Sequence, residues 1–195
     1  MLATFQEKGI AGLSDFQRRP DINVFNTTIQ GPVCKAMGVA PHIICSEYFD
    51  GVESGRYKGG VLCQNLERLS FEDERFDLVL SEDVFEHLTD YKKGFNEVHR
   101  VLKKNGYHIF TIPFYFDRCT KDLFEYKDGV ISLFQPIEYH GDPIRGEIPC
   151  FTHFGYDLLD QLREMGFDTK IEISNFSDDN RYGTFNSFTL VAKKS

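Results

Sequence analysis

Residues 76–113 read FDLVLSEDVFEHLTDYKKGFNEVHRVLKKNGYHIFTIP. The stretch opens on a short β-prone apolar run, Phe76-Asp77-Leu78-Val79-Leu80, and turns polar at Ser81-Glu82-Asp83. From Phe85 the period changes. Phe85, Leu88, Tyr91, Phe95, Val98 and Leu102 recur at spacings of three and four, which predicts one buried face of a helix. Lys103 and Lys104 suit its last turn, and Asn105-Gly106 is a stop signal. A second apolar run, Tyr107 to Ile112, closes at Pro113. Strand, helix and strand of these lengths predict two parallel neighbours joined by a right-handed crossover. Ligands of open α/β sheets bind beyond the carboxyl ends of the strands. Ser81-Glu82-Asp83 and Pro113-Phe114 are therefore expected on the functional edge.

Extended back to Ser70, the stretch holds an ordered set of features. These are an acidic-aromatic lead-in (SFEDER), an FD-plus-apolar strand, Glu86-His87, a helix ending RVLK-x-x-G, and a strand ending in Pro113. The set resembles the second half of the core of class I S-adenosylmethionine-dependent methyltransferases of the type-11 kind. The resemblance implies an α/β, doubly wound, mostly parallel sheet of seven strands, Rossmann-like, with an insertion after strand five. It implies S-adenosylmethionine as cofactor and S-adenosylhomocysteine as product. It also implies a final antiparallel pair of strands, the last one inserted between strands five and six.

Upstream, residues 1–20 are expected to form a short amphipathic helix and connector, with Leu2, Phe5, Ile10 and Leu13 on its apolar side. Ile22 to Asn26 reads as a strand, Gly31-Pro32 as a helix entry, and Gly38 as the end of that helix. In the family this turn carries a glycine-rich loop that approaches the cofactor, which points to Asn26, Thr27, Thr28 and Gly31. Here the loop is NTTIQGP, with one glycine, and its β-branched residues are poor at positive φ. Either the loop takes another path, or cofactor binding is weak or lost. His42 to Tyr48 is a second strand ending in an acid. Glu47 is placed to accept two ribose hydrogen bonds, and Tyr48 to pack beside the adenosine or cap the core. Val61-Leu62-Cys63 reads as a third strand. After it, Asn65 and Leu66 either read the adenine edge or form a turn.

Downstream, Phe114 to Cys150 lacks a sustained period and is expected as the insertion that, in the family, shapes the acceptor side. Phe154 to Met165 is predicted as a helix, Lys170 to Ile173 as a strand, and Phe185 to Ala192 as the last strand.

The 195 residues suit a single domain, residues 1–195. The net charge of -8, with basic residues scattered, argues against a nucleic-acid partner. Nineteen Phe and nine Tyr should mostly be core. The five cysteines share no C-x-x-C spacing, so free thiols in a cytoplasmic protein are expected, with no zinc site. The first residues do not read as a signal peptide, and no apolar run reaches membrane-spanning length.

Methyl transfer from a sulfonium needs binding, orientation and dryness more than a dense catalytic cluster. A base is needed only where the acceptor loses a proton. The candidates are His87, His140 with Asp142 as its carboxylate partner, Glu82 and Asp83. Ser81 and Glu82 are further cofactor candidates at the end of the central strand, and no spacing predicts a metal. Two functions stay open: methyl transfer to a small-molecule or glycan-type acceptor, and a non-catalytic module of the same shape that has lost or weakened the cofactor. A nicotinamide enzyme is disfavoured, because G-x-G-x-x-G is missing after the first strand.

Overall fold

The computed structural model describes residues 10–127, 130–173 and 188–195. In chain order its strands are β1 (Val24–Asn26), β2 (Ile43–Cys45), β3 (Tyr57–Lys58), β4 (Val61–Leu62), β5 (Phe76–Glu82) and β6 (Leu102–Thr111). Then follow β7 (Phe114–Tyr115), β8 (Lys121–Asp122), β9 (Phe124–Lys127), β10 (Val130–Leu133), β11 (Tyr139–Asp142), β12 (Gly146–Pro149), β13 (Thr152–Gly155), β14 (Phe167–Ile173) and β15 (Phe188–Lys194). Among the described residues three α-helices span Pro32–Met37, Tyr91–Val101 and Leu158–Glu164.

Among the described residues the main sheet has six strands in the order β14-β15-β6-β5-β1-β2. β2, β1, β5 and β6 run parallel, whereas β15 is antiparallel to β6 and β14 antiparallel to β15. The last strand thus lies between β6 and β14, as the resemblance implied. The seventh place is reduced to a single parallel bridge from Cys63 to Glu47, because β4 pairs with β3 in a hairpin.

Alternation of side chains across the pleat splits the core in two. Phe25, Val79 and Phe110 face the helices Tyr91–Val101 and Leu158–Glu164, joining Phe95, Val98 and Leu162. Val24, Leu78, Leu80 and Ile109 face Phe16, Val33 and Met37 on the other side. The central strands are buried on both faces, which is why β5 reads as a nearly continuous apolar run.

The motif residues hold these layers in register. Asp77 accepts from the Asn23 N–H at 2.8 Å and from Lys103 Nζ at 2.7 Å. Arg100 donates to the Phe71 carbonyl at 2.8 Å and pairs with Asp73 and Glu97, tying the SFEDER lead-in to the helix behind it.

Several boundaries differ from the sequence expectation. The expected helix from Phe85 breaks into a 3-10 turn, Phe85–His87, and a helix that begins at Tyr91. Asp90 is the reason: its side chain accepts the Lys93 N–H at 2.9 Å, capping a new start. Asp90→Ala should cost about 1 kcal/mol in urea unfolding. That helix ends at Val101, so Lys103 and Lys104 belong to β6, with Asn105 at φ 63 in a bulge. Phe154 and Gly155 lie in β13, and the helix after them begins only at Leu158. The N-terminal helix is a 3-10 stretch, Leu13–Arg18. Leu2 and Phe5 fall outside the described residues, as do positions 185–187 of the expected last strand.

The free-thiol reading needs correction at two positions. The helix Pro32–Met37 packs over β2 and brings Cys34 and Cys45 to a Cα separation of 6.6 Å, where they form a disulfide. Cys63, Cys119 and Cys150 are free. Among the described residues no helix is long and apolar enough to cross a membrane.

Candidate active site

A cavity of about 1130 Å³ opens at the carboxyl ends of β1, β2 and β5. Its floor is the loop that follows β1. Asn26 is fully buried beneath that loop and donates from Nδ2 to the Thr28 carbonyl at 2.6 Å. None of Thr27, Thr28, Ile29 and Gln30 takes a positive φ, and Gly31 sits at φ -70. The loop therefore follows a path that β-branched residues can adopt, and the single glycine is needed for room rather than for handedness. A Cβ on Gly31 would meet Glu82 Oε1 at 3.0 Å.

Glu47 stands just past β2 at the mouth of this loop. Its Oε2 accepts the Thr28 hydroxyl at 3.1 Å and lies 3.5 Å from the Ile29 N–H. Burial raises the pKa of its carboxyl, against the pull of these donors. Glu82 ends β5 beside Gly31. Its Oε1 is buried without a partner among the described residues, and burial, reinforced by Asp83, raises its pKa too. Tyr48 lines the cavity with the Arg145 guanidinium over its ring at 5.2 Å.

Thr27, Thr28, Gly31, Glu47, Tyr48, Asn65, Leu66, Glu82, His87, His140 and Asp142 all line the cavity. Asn26 and Ser81 do not. Ser81 is buried in β5, 2.9 Å from His108 Nε2, inside the sheet. Asn65 lines the wall but is engaged as a turn residue: its Oδ1 accepts the Glu67 N–H at 2.8 Å, and its own N–H donates to Ser54 at 2.7 Å.

The far wall comes from the insertion. The β11–β12 hairpin lies against the 3-10 turn at Glu86-His87, and the Phe151 N–H donates to the Glu86 carbonyl at 2.7 Å. The expected carboxylate partner of His140 needs correction. Asp142 is taken by Arg145, at 3.0 Å, and by the Ile144 and Arg145 N–H groups, because it closes the hairpin turn. Glu138, two residues earlier, lies 3.1 Å from His140 Nε2 and 2.7 Å from His153 Nε2. The hydrogen bond to His140 leads in holding the pKa of Glu138 down.

Sequence reading passed over one residue at this wall. Glu86 is fully buried, both carboxylate oxygens lack a hydrogen-bond partner among the described residues, and burial pushes its pKa up to about 8. It neighbours a candidate histidine, but nothing in the spacing shows that it turns inward. His87 Nδ1 lies 2.8 Å from the Pro149 carbonyl, and burial lowers its pKa.

Residues 44–110 match the family model described as a methyltransferase domain. The match covers the middle third of the chain, and the fold is that of class I methyltransferases. Solved structures with the same fold as this chain include an S-adenosylmethionine-dependent methyltransferase from Mesorhizobium loti, at TM-score 0.55 and 14% identity, covering 89% of this chain and 91% of that one. A second, from Listeria monocytogenes and described as a putative S-adenosylmethionine-dependent methyltransferase, gives TM-score 0.54 and 15% identity, covering 98% and 97%. Among curated proteins, the sarcosine/dimethylglycine N-methyltransferase of Halorhodospira halochloris is 37% identical over 102 residues, which are 52% of this chain and 31% of that protein. The chain spans less than a third of the length of the curated relatives it matches.

Proposed function

We propose that the chain transfers a methyl group from S-adenosylmethionine to a small-molecule or glycan-type acceptor, releasing S-adenosylhomocysteine. The observation that carries this is one cavity with two unlike walls. The first, around Glu47, Gly31 and Glu82, suits a nucleoside with an amino-acid tail. Glu47 would accept from ribose hydroxyls, and the unpartnered oxygen of Glu82 would accept from the cofactor's ammonium. The second wall, from the 114–150 insertion and the Glu86-His87 turn, would hold the acceptor. The reaction is an in-line displacement at a sulfonium methyl, so these residues bind, orient and exclude water. His87 and His140 are the groups placed to take a proton from an acceptor that must lose one.

A non-catalytic module is the second reading. It is favoured by Glu47 and Asn65, whose hydrogen-bonding groups are already engaged within the chain. Titration with S-adenosylhomocysteine in a calorimeter separates the two. Saturable one-to-one binding is expected, and an absence of heat and of any rise in melting temperature would sink the methyl-transfer reading.

A further inference from the structure

We propose that Glu86, His87 and His140 form a site for one divalent transition-metal ion of the zinc type, with its fourth position open to the cavity. Three acceptor atoms converge there. His87 Nε2 and His140 Nδ1 are 3.2 Å apart. Glu86 Oε1 lies 3.8 Å from the first and 3.6 Å from the second. Bonds of about 2.0–2.1 Å at tetrahedral angles put ligand atoms roughly 3.4 Å from each other, so the triangle already has the size of a zinc face.

The outer nitrogens fix which atoms point inward. His87 Nδ1 faces the Pro149 carbonyl at 2.8 Å, so it carries the proton and leaves Nε2 as a lone pair. His140 Nε2 faces Glu138 at 3.1 Å, so it also carries a proton and turns Nδ1 toward His87. A carbonyl and a carboxylate behind two imidazoles is the usual outer support of metal-bound histidines. Glu86 is the independent observation. It is fully buried, with both oxygens unpartnered, beside those two nitrogens. A buried carboxylate without a donor is costly, and a cation at the centre of the triangle would serve it and both lone pairs together. Two histidines and one carboxylate suit zinc, cobalt or iron better than magnesium, which prefers oxygen.

Sequence spacing could not suggest the site, because His140 arrives from the insertion, 53 residues after His87. All three residues line the cavity, so the free coordination position faces its interior. If the methyl-transfer reading holds, an acceptor's hydroxyl or carboxylate oxygen would take that position, and with the ion bound its charge, rather than either histidine acting as a base, would ease loss of a hydroxyl proton. The binding itself does not rest on that reading.

Chelator-treated full-length protein, titrated with Zn²⁺ and separately with Co²⁺, tests it without any cofactor. One equivalent is expected to bind, with visible ligand-field absorption from Co²⁺. His140→Ala and Glu86→Gln should each weaken Zn²⁺ binding at least 100-fold, and Glu138→Gln by 10- to 100-fold through the lost support. His140 is partly exposed, so its variant keeps the test valid if the Glu86 variant does not fold. Failure of the wild type to bind either ion would overturn the proposal. So would binding of undiminished strength in a folded His140→Ala. Neither result would bear on S-adenosylhomocysteine titration, which reads the opposite wall.

Discussion

Glu47→Ala should lower affinity for S-adenosylhomocysteine by roughly 100-fold in calorimetry, with the fold intact. A hydrogen bond to an ionised group contributes about 1.5–3 kcal/mol, and each 1.4 kcal/mol is tenfold in affinity. Losing both bonds to a ribose would therefore remove about 3 kcal/mol. Glu47 also holds the loop, through the Thr28 hydroxyl. Thr28→Val separates the two roles, because it removes the tie and keeps the carboxylate. If the carboxylate itself is the ligand, Thr28→Val should retain binding within about tenfold. Equal losses in the two variants would mean that Glu47 acts only by shaping the loop. Binding undisturbed in Glu47→Ala would remove it from the cofactor site.

Phe95→Ala should cost about 3–5 kcal/mol of stability, the largest loss expected from a single core truncation here. Phe95 is fully buried in the middle of the helix Tyr91–Val101. It stacks on Phe85 with ring centroids 4.0 Å apart and meets Phe110 of β6 edge-on at 5.4 Å. One ring thus joins the 3-10 turn that carries Glu86, the helix and the central sheet. For a chain of this length each kcal/mol lowers the melting temperature by about 2–4 °C, so a fall of roughly 6–20 °C is expected in a thermal scan. A shift within about 2 °C would show that this aromatic cluster does not carry the core.

The sequence by itself determined the centre of the fold. β5, the following helix and β6 were legible because burial on two faces makes a strand uniformly apolar, and burial on one face gives a helix its three-and-four spacing. Glu47 and the edge at Glu82 were legible for a related reason: a strand end fixes where the next residue must stand.

Tertiary structure decided what depends on groups distant in the chain. The break at Asp90 is a competition between one capping side chain and a continuing hydrophobic stripe, and periodicity cannot weigh the two. The Cys34–Cys45 disulfide depends on how a short helix lies over a strand. The partner of His140 is Glu138 rather than Asp142, because a hairpin turn consumes the nearer carboxylate through Arg145. Glu86 is the clearest case. Its identity and its neighbour were plain in the sequence, but its burial without a partner, facing His140, exists only once the insertion folds back onto the turn that carries it. Local spacing encodes which face of an element is apolar. It does not encode which polar groups from separate elements share one point in space.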